Sequence, residues 1–498
     1  MTKEKFELAQ IEKQAELAKN EDVDETVKAP TIGVRHWQVS ILFLLVWLAY
    51  GIRVSLSVAI VAMTDPTAST NPNVPVYPEW TDKSIILSAF FWGYVIPQIV
   101  AGWLAGRFGS KWFLFGAMGV CGSMCILLPS MAAGLGSKGV MINRAIQGLC
   151  QGFLFPNTHH LLSQWVPPDE RSRLGTLVYA AGPFGTVIGM LVTGWISASN
   201  FGWPLVFYLY GGASLLWSLL CLIATHNSPL DHPKISEAER FYIEHSLGHS
   251  EGKPNLRTPW KSIWTSLPLW AILISHCGQN WGFWTLMTEI PNYMGHVMNF
   301  DIKSVSVFAI KRKPFMKYPI MKFQNSVLSA LPYFVLWILS FIMSFISDSL
   351  IVRRILTVGT TRKIFNTIGL LIPAVALIFL GLTPADDPNR AVSLLVVAVG
   401  FNAGIFCGFN VNHVDISPNH AGILMGITNG ISNIFGIVAP LLVQFLVSDE
   451  ADPNQWKIIF FMTAAVYVGA DIFYISFGSG EVQKWNDDPD DDKESKTP

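Results

Sequence analysis

The chain has 498 residues, 51% of them apolar and 14% charged, with a net charge of −1. That is too apolar for a water-soluble protein of this length, and the neutral balance argues against a nucleic-acid partner. The apolar residues fall in blocks of ~20 or more, long enough to cross the ~30 Å hydrocarbon core of a lipid bilayer.

Residues 1–36 are polar and of mixed charge, carry no cleavable signal pattern and form an expected cytoplasmic tail. Twelve spans are then expected, at about 37–63, 83–105, 112–134, 139–165, 174–199, 203–225, 267–294, 326–350, 364–383, 391–413, 420–447 and 457–479. The fold class is therefore an all-α membrane protein of two six-helix bundles, 37–225 and 267–479. A cytoplasmic linker at 226–266 joins them and includes the amphipathic stretch Ile235–Leu247. The tenth and eleventh spans are interrupted by Gly and Asn, which a membrane helix tolerates when its neighbours satisfy the freed backbone groups. Residues 480–498 form an acidic cytoplasmic tail.

With both termini in the cytoplasm, the short inner loops carry thirteen Lys and Arg and the outer loops five, the bias that fixes orientation. One outer segment, 305–324, is left out of that count because its five basic residues break the rule. Its ends can be written with splice-site letters, Val305-Ser306 as GTA-AGT and Phe323-Gln324 as TTT-CAG. An insertion or retained intron is preferred here to a genuine basic loop. The six cysteines all lie in apolar blocks and read as packed single thiols, with no metal-ligand spacing among them.

An ionisable residue at bilayer depth costs ~2.5–3.5 kcal/mol or more, so each one marks a functional-site candidate. Arg53 lies near the middle of the first span and Arg144 about a turn and a half into the fourth. Arginine stays charged, and its planar fork matches carboxylate or phosphate oxygens, so two guanidinium groups facing one cavity would select anions. The bland alternatives are an interhelical salt bridge for Arg53 and snorkelling for Arg144. Glu289, Asp415 and Asp471 are the acidic candidates, Glu289 and Asp415 being taken as cation-coupling groups. Tyr94, Gln147, Gln151, Asn280 and Asn412 complete the expected substrate contacts. Glycines repeat in the fifth and eleventh spans (Gly182, Gly185, Gly189, Gly194; Gly422, Gly426, Gly430, Gly436), where close helix packing is expected in both halves.

Several stretches together resemble the anion:cation symporter family of the major facilitator superfamily, which includes sialin, vesicular glutamate transporters and sodium/phosphate cotransporters. They are R-V-S-L-S-V-A-I-V-A-M (53–63), F-F-W-G-Y (90–94), R-A-I-Q-G-L-C-Q-G (144–152), W-V-P-P-D-E-R-S (165–172), L-P-L-W-A-I (267–272), N-H-V-D-I-S-P-N-H-A-G-I-L-M-G-I-T-N (412–429) and G-E-V-Q-K-W (480–485). The run Q-G-F-L-F-P looks closest to the insect inorganic phosphate branch. The resemblance implies alternating access about a midplane site, with Arg53 and Arg144 at the family's arginine positions and His159 and His413 at family histidines. The superfamily loop G-x-x-x-D-R-x-G-R-K survives as Gly102, Arg107, Gly109 and Lys111, but Gly106 holds the Asp place. The counterpart after the eighth span keeps Asp348.

Gln147 and Gln151 replace glutamates of sialin-like members, and Leu87 replaces a histidine of vesicular glutamate transporters. Both changes weaken proton coupling, so sodium-coupled symport of phosphate or a similar small anion is the leading expectation. No cofactor is expected beyond the co-transported sodium or proton. The rivals are a proton-coupled carrier of organic anions and, from another class, a non-transporting anion sensor. No H-E-x-x-H, G-x-S-x-G or paired intramembrane aspartate suggests an enzyme. With no glycosylation sequon and no acidic dileucine, the plasma membrane is the expected location.

Overall fold

A computed structural model describes residues 31–64, 71–80, 83–247, 258–296, 317–384, 387–447, 449 and 452–486. All regular structure among them is helical. The first half comprises α1 (Val34–Thr64), α2 (Lys83–Val95), α3 (Gln98–Phe108), α4 (Lys111–Gln151), α5 (Leu154–Trp165), α6 (Arg171–Ser197) and α7 (Pro204–Ala224). Two short helices follow, α8 (Glu237–Leu247) and α9 (Trp260–Thr265). The second half comprises α10 (Leu267–His296), α11 (Lys317–Val352), α12 (Val358–Gly381), α13 (Pro388–Phe401), α14 (Phe409–Ile416), α15 (Ala421–Leu446) and α16 (Pro453–Phe477).

Among the described residues nine helical segments are long and apolar enough to cross a membrane, or ten when α2 and α3, bent by 40°, count as one. The bend falls at Pro97, whose ring removes a backbone donor, so the second expected span is a broken one. Lys111–Trp165 is counted once although its 55 residues would reach about 80 Å as a single rod, far more than one crossing needs. It is a hairpin. Gly136 takes φ 61°, ψ −148°, a conformation open to glycine, and the chain doubles back there. Across the hairpin, Asn143 Nδ2 donates to the Met124 carbonyl at 2.7 Å, and the rings of Phe113 and Phe153 stack at 6.0 Å. The tenth expected span is also broken, running as α13, a 3-10 stretch Asn402–Phe406 and α14 after Gly408. The interrupting Gly and Asn of the sequence lie at that break. The expected insertion at 305–324 falls mostly outside the described residues, with α11 beginning at Lys317.

The linker helix is less exposed than an amphipathic surface helix would be. Glu239 of α8 is 1% exposed and accepts from the backbone N–H groups of Val34 and Arg35, capping the start of α1. The Arg35 guanidinium in turn bridges Glu239 at 3.1 Å and Glu170 at 2.7 Å, tying α8 to the turn before α6.

At the end that the charge count places in the cytoplasm, the halves are joined by a buried ion network. Asp348 near the end of α11 accepts from the Ser172 and Arg173 backbone N–H groups at 3.0 and 2.7 Å, an acid at a helix N-terminus. Asp415 pairs with Arg171 at 2.9 Å and with Arg362 at 2.7 Å, and Arg362 also donates to Ser172 Oγ. The pseudo-equivalent contact, where Gly106 replaces the acid, carries no such pair among the described residues. There α3 and α15 meet backbone to backbone: a Cβ on Gly102 would lie 2.3 Å from the Gly422 carbonyl oxygen, and one on Gly426 would lie 2.4 Å from that of Gln98. The glycines of α15 therefore serve contact between the halves, not only packing within one.

A buried pair that loses one partner costs ~3–5 kcal/mol, because a charge is left alone. Asp415→Asn strands Arg171 and Arg362 in the closed arrangement and is expected to favour opening of this end. A cysteine placed at Thr176, buried on α6, on a cysteine-free background should then react faster with a membrane-impermeant thiol reagent from the cytoplasmic side. Unchanged labelling would show that the network does not hold the halves together.

Candidate anion site between the two halves

A cavity lies between the halves. The first half contributes Tyr50, Arg53, Tyr94 and Tyr179, and the second contributes His276, Gln279, Asn280, Asn402, Asn410, Asn429 and Asn433 among others. One wall therefore carries the cation and tyrosines, and the opposite wall mixes side-chain amides with aromatic and apolar residues.

Arg53 is held by rings rather than acids. Its guanidinium carbon lies 4.8 Å from the ring centres of Tyr50 and Phe90 and 4.7 Å from that of Tyr94. Such contacts favour a cation by ~0.5–2 kcal/mol without neutralising it. Its NH2 group donates to Gln151 Oε1 at 3.3 Å, while its buried Nε has no acceptor. No ion pair involves Arg53 or Arg144 among the described residues. Positive charge with an unfilled donor, at the edge of a cavity, is what an anion would complete.

The structure corrects the expected role of Arg144. It is 2% exposed and does not line the cavity. Its guanidinium donates to the backbone carbonyls of Ile52 and Arg53 and to Gln147 Oε1, and lies 4.9 Å over the Phe90 ring. It braces the turn that carries Arg53 and neither snorkels nor faces substrate. Gln147 is likewise spent, accepting from Arg144 and donating to Asn143 Oδ1. Gln151 also stands behind the wall: its Nε2 donates to the Ala49 carbonyl, which leaves its oxygen for Arg53.

Tyr94 and Asn280 do line the cavity. Asn429 Nδ2 donates to Tyr94 Oη and Gln98 Oε1, both at 3.0 Å, so the ring stacked beside Arg53 is hydrogen-bonded to the opposite half. Asn280 donates to Ser432 Oγ at 2.9 Å. Asn412 is displaced from its expected place: it is fully buried and donates to Tyr474 Oη.

The expected coupling residues separate in the same way. Asp415 belongs to the ion network described above, where two arginines neutralise it, so it is no cation ligand in this arrangement. The Glu289 side chain lies outside the described residues. His159 and His413 are buried just beyond the cavity wall with rings 5.2 Å apart. His159 Nδ1 meets Tyr179 Oη at 2.6 Å, and His413 Nε2 meets Thr428 Oγ1 at 2.7 Å. His276, which the sequence reading missed, lines the cavity and meets the same Thr428 hydroxyl at 3.3 Å. Tyr179 with His159, and Thr428 with His413 and His276, thus form two hydrogen-bonded groups that meet where the rings of His159 and His413 lie 5.2 Å apart. Asn429 and Asn433 were also missed, although their spacing of four residues puts them on one face of the eleventh span.

Hydrogen bonds to a charged group contribute ~1.5–3 kcal/mol, so Arg53→Ala is expected to weaken anion binding about 10- to 100-fold. Gln151→Leu, which frees the guanidinium without removing it, should weaken it less than Arg53→Ala. Binding isotherms on the purified protein check both; equal losses would mean that Gln151 does more than orient Arg53.

The sequence model of the Major Facilitator Superfamily matches residues 42–440. A Drosophila melanogaster protein named "Putative inorganic phosphate cotransporter" is 40% identical over 486 residues, covering 92% of this chain and 87% of that one. Human vesicular glutamate transporter 2 is 35% identical over 459 residues, covering 90% of this chain and 74% of that one. Among solved structures, a proton:xylose symporter superposes with a TM-score of 0.62 at 15% identity, covering 90% of this chain and 97% of that one, a likeness of fold alone. Broken helices, two joined halves and a cavity between them agree with these matches: the chain is a multi-pass membrane transporter of the major facilitator superfamily and belongs to its anion:cation symporter family.

Proposed function

We propose that the chain is a cation-coupled symporter of inorganic phosphate or a related small anion, working by alternating access. The single observation that carries this reading is Arg53, a cation at the cavity with an unfilled donor and no carboxylate partner among the described residues. Phosphate is preferred because relatives 40% identical to the chain bear that name. A fork with free donors also suits its oxygens. Sodium is preferred as the coupling ion because Gln147 and Gln151 stand where sialin-like members carry protonatable glutamates.

A specific observation favours a second reading. The titratable groups beside the cavity are His276 and His413, which share the Thr428 hydroxyl, and His159, which meets Tyr179 and lies 5.2 Å from the His413 ring; an imidazole can take up a proton. Proton coupling, with an organic anion as cargo, would use them. The plasma membrane is our preferred location, and surface labelling of intact cells distinguishes it from the vesicular membrane named for other relatives.

Uptake of labelled phosphate into reconstituted vesicles tests the reading. Replacing sodium by choline should lower uptake about 5- to 150-fold, the span of common coupling free energies. Sodium-independent uptake stimulated by acid would transfer the assignment to protons, and binding without flux would make the protein a sensor.

A further inference from the structure

Asp471 has no part in the cavity or in the ion network. It lies on α16, six residues before that helix ends at Phe477, and it is 3% exposed. Both of its hydrogen bonds fall on one carboxylate oxygen: Asn366 Nδ2 donates to Oδ1 at 2.9 Å and Thr367 Oγ1 donates to it at 3.2 Å. Neither partner carries charge, and no ion pair reaches Asp471 among the described residues.

The charged and titratable groups on the surrounding elements are engaged elsewhere. On α12, Arg362 is taken by Asp415 and Ser172, and half-buried Lys363 forms no ion pair with Asp471. On α10 and α14, His276 and His413 both turn to Thr428. The thiol of Cys407, in the 3-10 break, faces Thr176, and that of Cys277 on α10 is free. On α16 itself, Tyr474 accepts from Asn412, and Lys457 lies at the far end over Phe461.

A second observation sits beside the first. Asn366 Oδ1 is buried and has no donor. The site therefore sets one unsatisfied buried acceptor, the Asn366 amide oxygen, beside a carboxylate with no charged partner among the described residues. A buried carboxylate without a charged partner is costly, and so is an acceptor left without a donor. One added positive species removes both costs. A proton on the second carboxyl oxygen leaves Asp471 neutral and supplies an O–H that can donate to Asn366 Oδ1. Asn366 Nδ2 meanwhile continues to donate to Asp471, and the two side chains close into an acid–amide pair. A hard metal cation is a poorer fit, since it gathers about six oxygens and only three side chains supply any here.

We propose that Asp471, with Asn366 and Thr367, is a proton-binding site separate from the anion cavity and occupied while the cytoplasmic end is closed. Its surroundings give the proton a consequence. A Cβ on Gly408, at the break before α14, would lie 2.9 Å from the Asn366 backbone, so that break rests directly on Asn366. α14 carries Asp415, and Arg362 lies one turn before Asn366 on α12. Losing the proton strains the seat of Arg362 and Asp415, two members of the ion network, so alkaline pH on the cytoplasmic side favours opening.

Infrared difference spectroscopy of the full chain in lipid vesicles, recorded across a pH jump without any anion substrate, tests this independently of the transport reading. A protonated-carboxyl carbonyl band should be present in the wild type, absent in Asp471→Asn and shifted in Asn366→Leu. Asp471→Asn keeps the shape and can still pair with Asn366. Should it not fold, the shift in Asn366→Leu carries the test. A band that survives Asp471→Asn, one unmoved by Asn366→Leu, or one that vanishes from the wild type when sodium is added at constant pH overturns the assignment.

Discussion

A charge placed in a hydrocarbon layer must find a partner, and the interior of this protein is arranged around which charges have one. Asp348 sits on a helix N-terminus, Asp415 lies between two arginines, and Arg35 lies between two glutamates. Arg144 gives its terminal nitrogens to two backbone carbonyls and Gln147, its Nε alone lacking an acceptor, away from the cavity. Among the described residues, Arg53 alone combines positive charge, an unmet donor and a place on the cavity wall. Aromatic faces suit that purpose better than carboxylates would. They stabilise the cation enough to keep it inside the fold and leave its charge available to a solute.

The two pseudo-equivalent contacts between the halves use different physics. One is ionic and buried, so its strength depends on every member being present. The other depends on the absence of side chains, with Gly102, Gly422 and Gly426 letting two backbones touch. Both lie toward the same end of the bundle, near the end of α3 and the start of α15 in one case and the start of α6 in the other, so opening that end must part both.

The fold was legible because span length, charge bias and glycine placement are local in sequence. One break left a mark: Gly and Asn interrupt the tenth span, which divides, but they interrupt the eleventh as well, which runs unbroken as α15, and the break at Pro97 carried no such signal. The site was legible only in part. Cost at bilayer depth marks an arginine as notable, but whether it serves substrate or backbone depends on which way its helix is rotated, and Arg53 and Arg144 carry the same sequence signal. Asp415 misled for a related reason: its neutralising partners, Arg171 and Arg362, lie far from it in sequence and each looked like an ordinary loop charge. His276 and the Asn429–Asn433 face were available as polar residues on apolar helices, the signal already used for the arginines, and were passed over because amides and imidazoles cost less to bury than fixed charge.

Coupling then follows from connectivity rather than from proximity alone. Tyr94 stacks on Arg53 and is hydrogen-bonded by Asn429, so an anion that draws the guanidinium moves a ring tied to the other half. Asn429 and Thr428 are adjacent on α15, and Thr428 is the hydroxyl on which His276 and His413 converge. His413 in turn lies two residues from Asp415 on α14. A continuous run of contacts therefore links the anion wall, the imidazoles and the latch through two short helical segments. A solute at Arg53 shifts an equilibrium between closed and open arrangements only to the extent that its contacts differ between them.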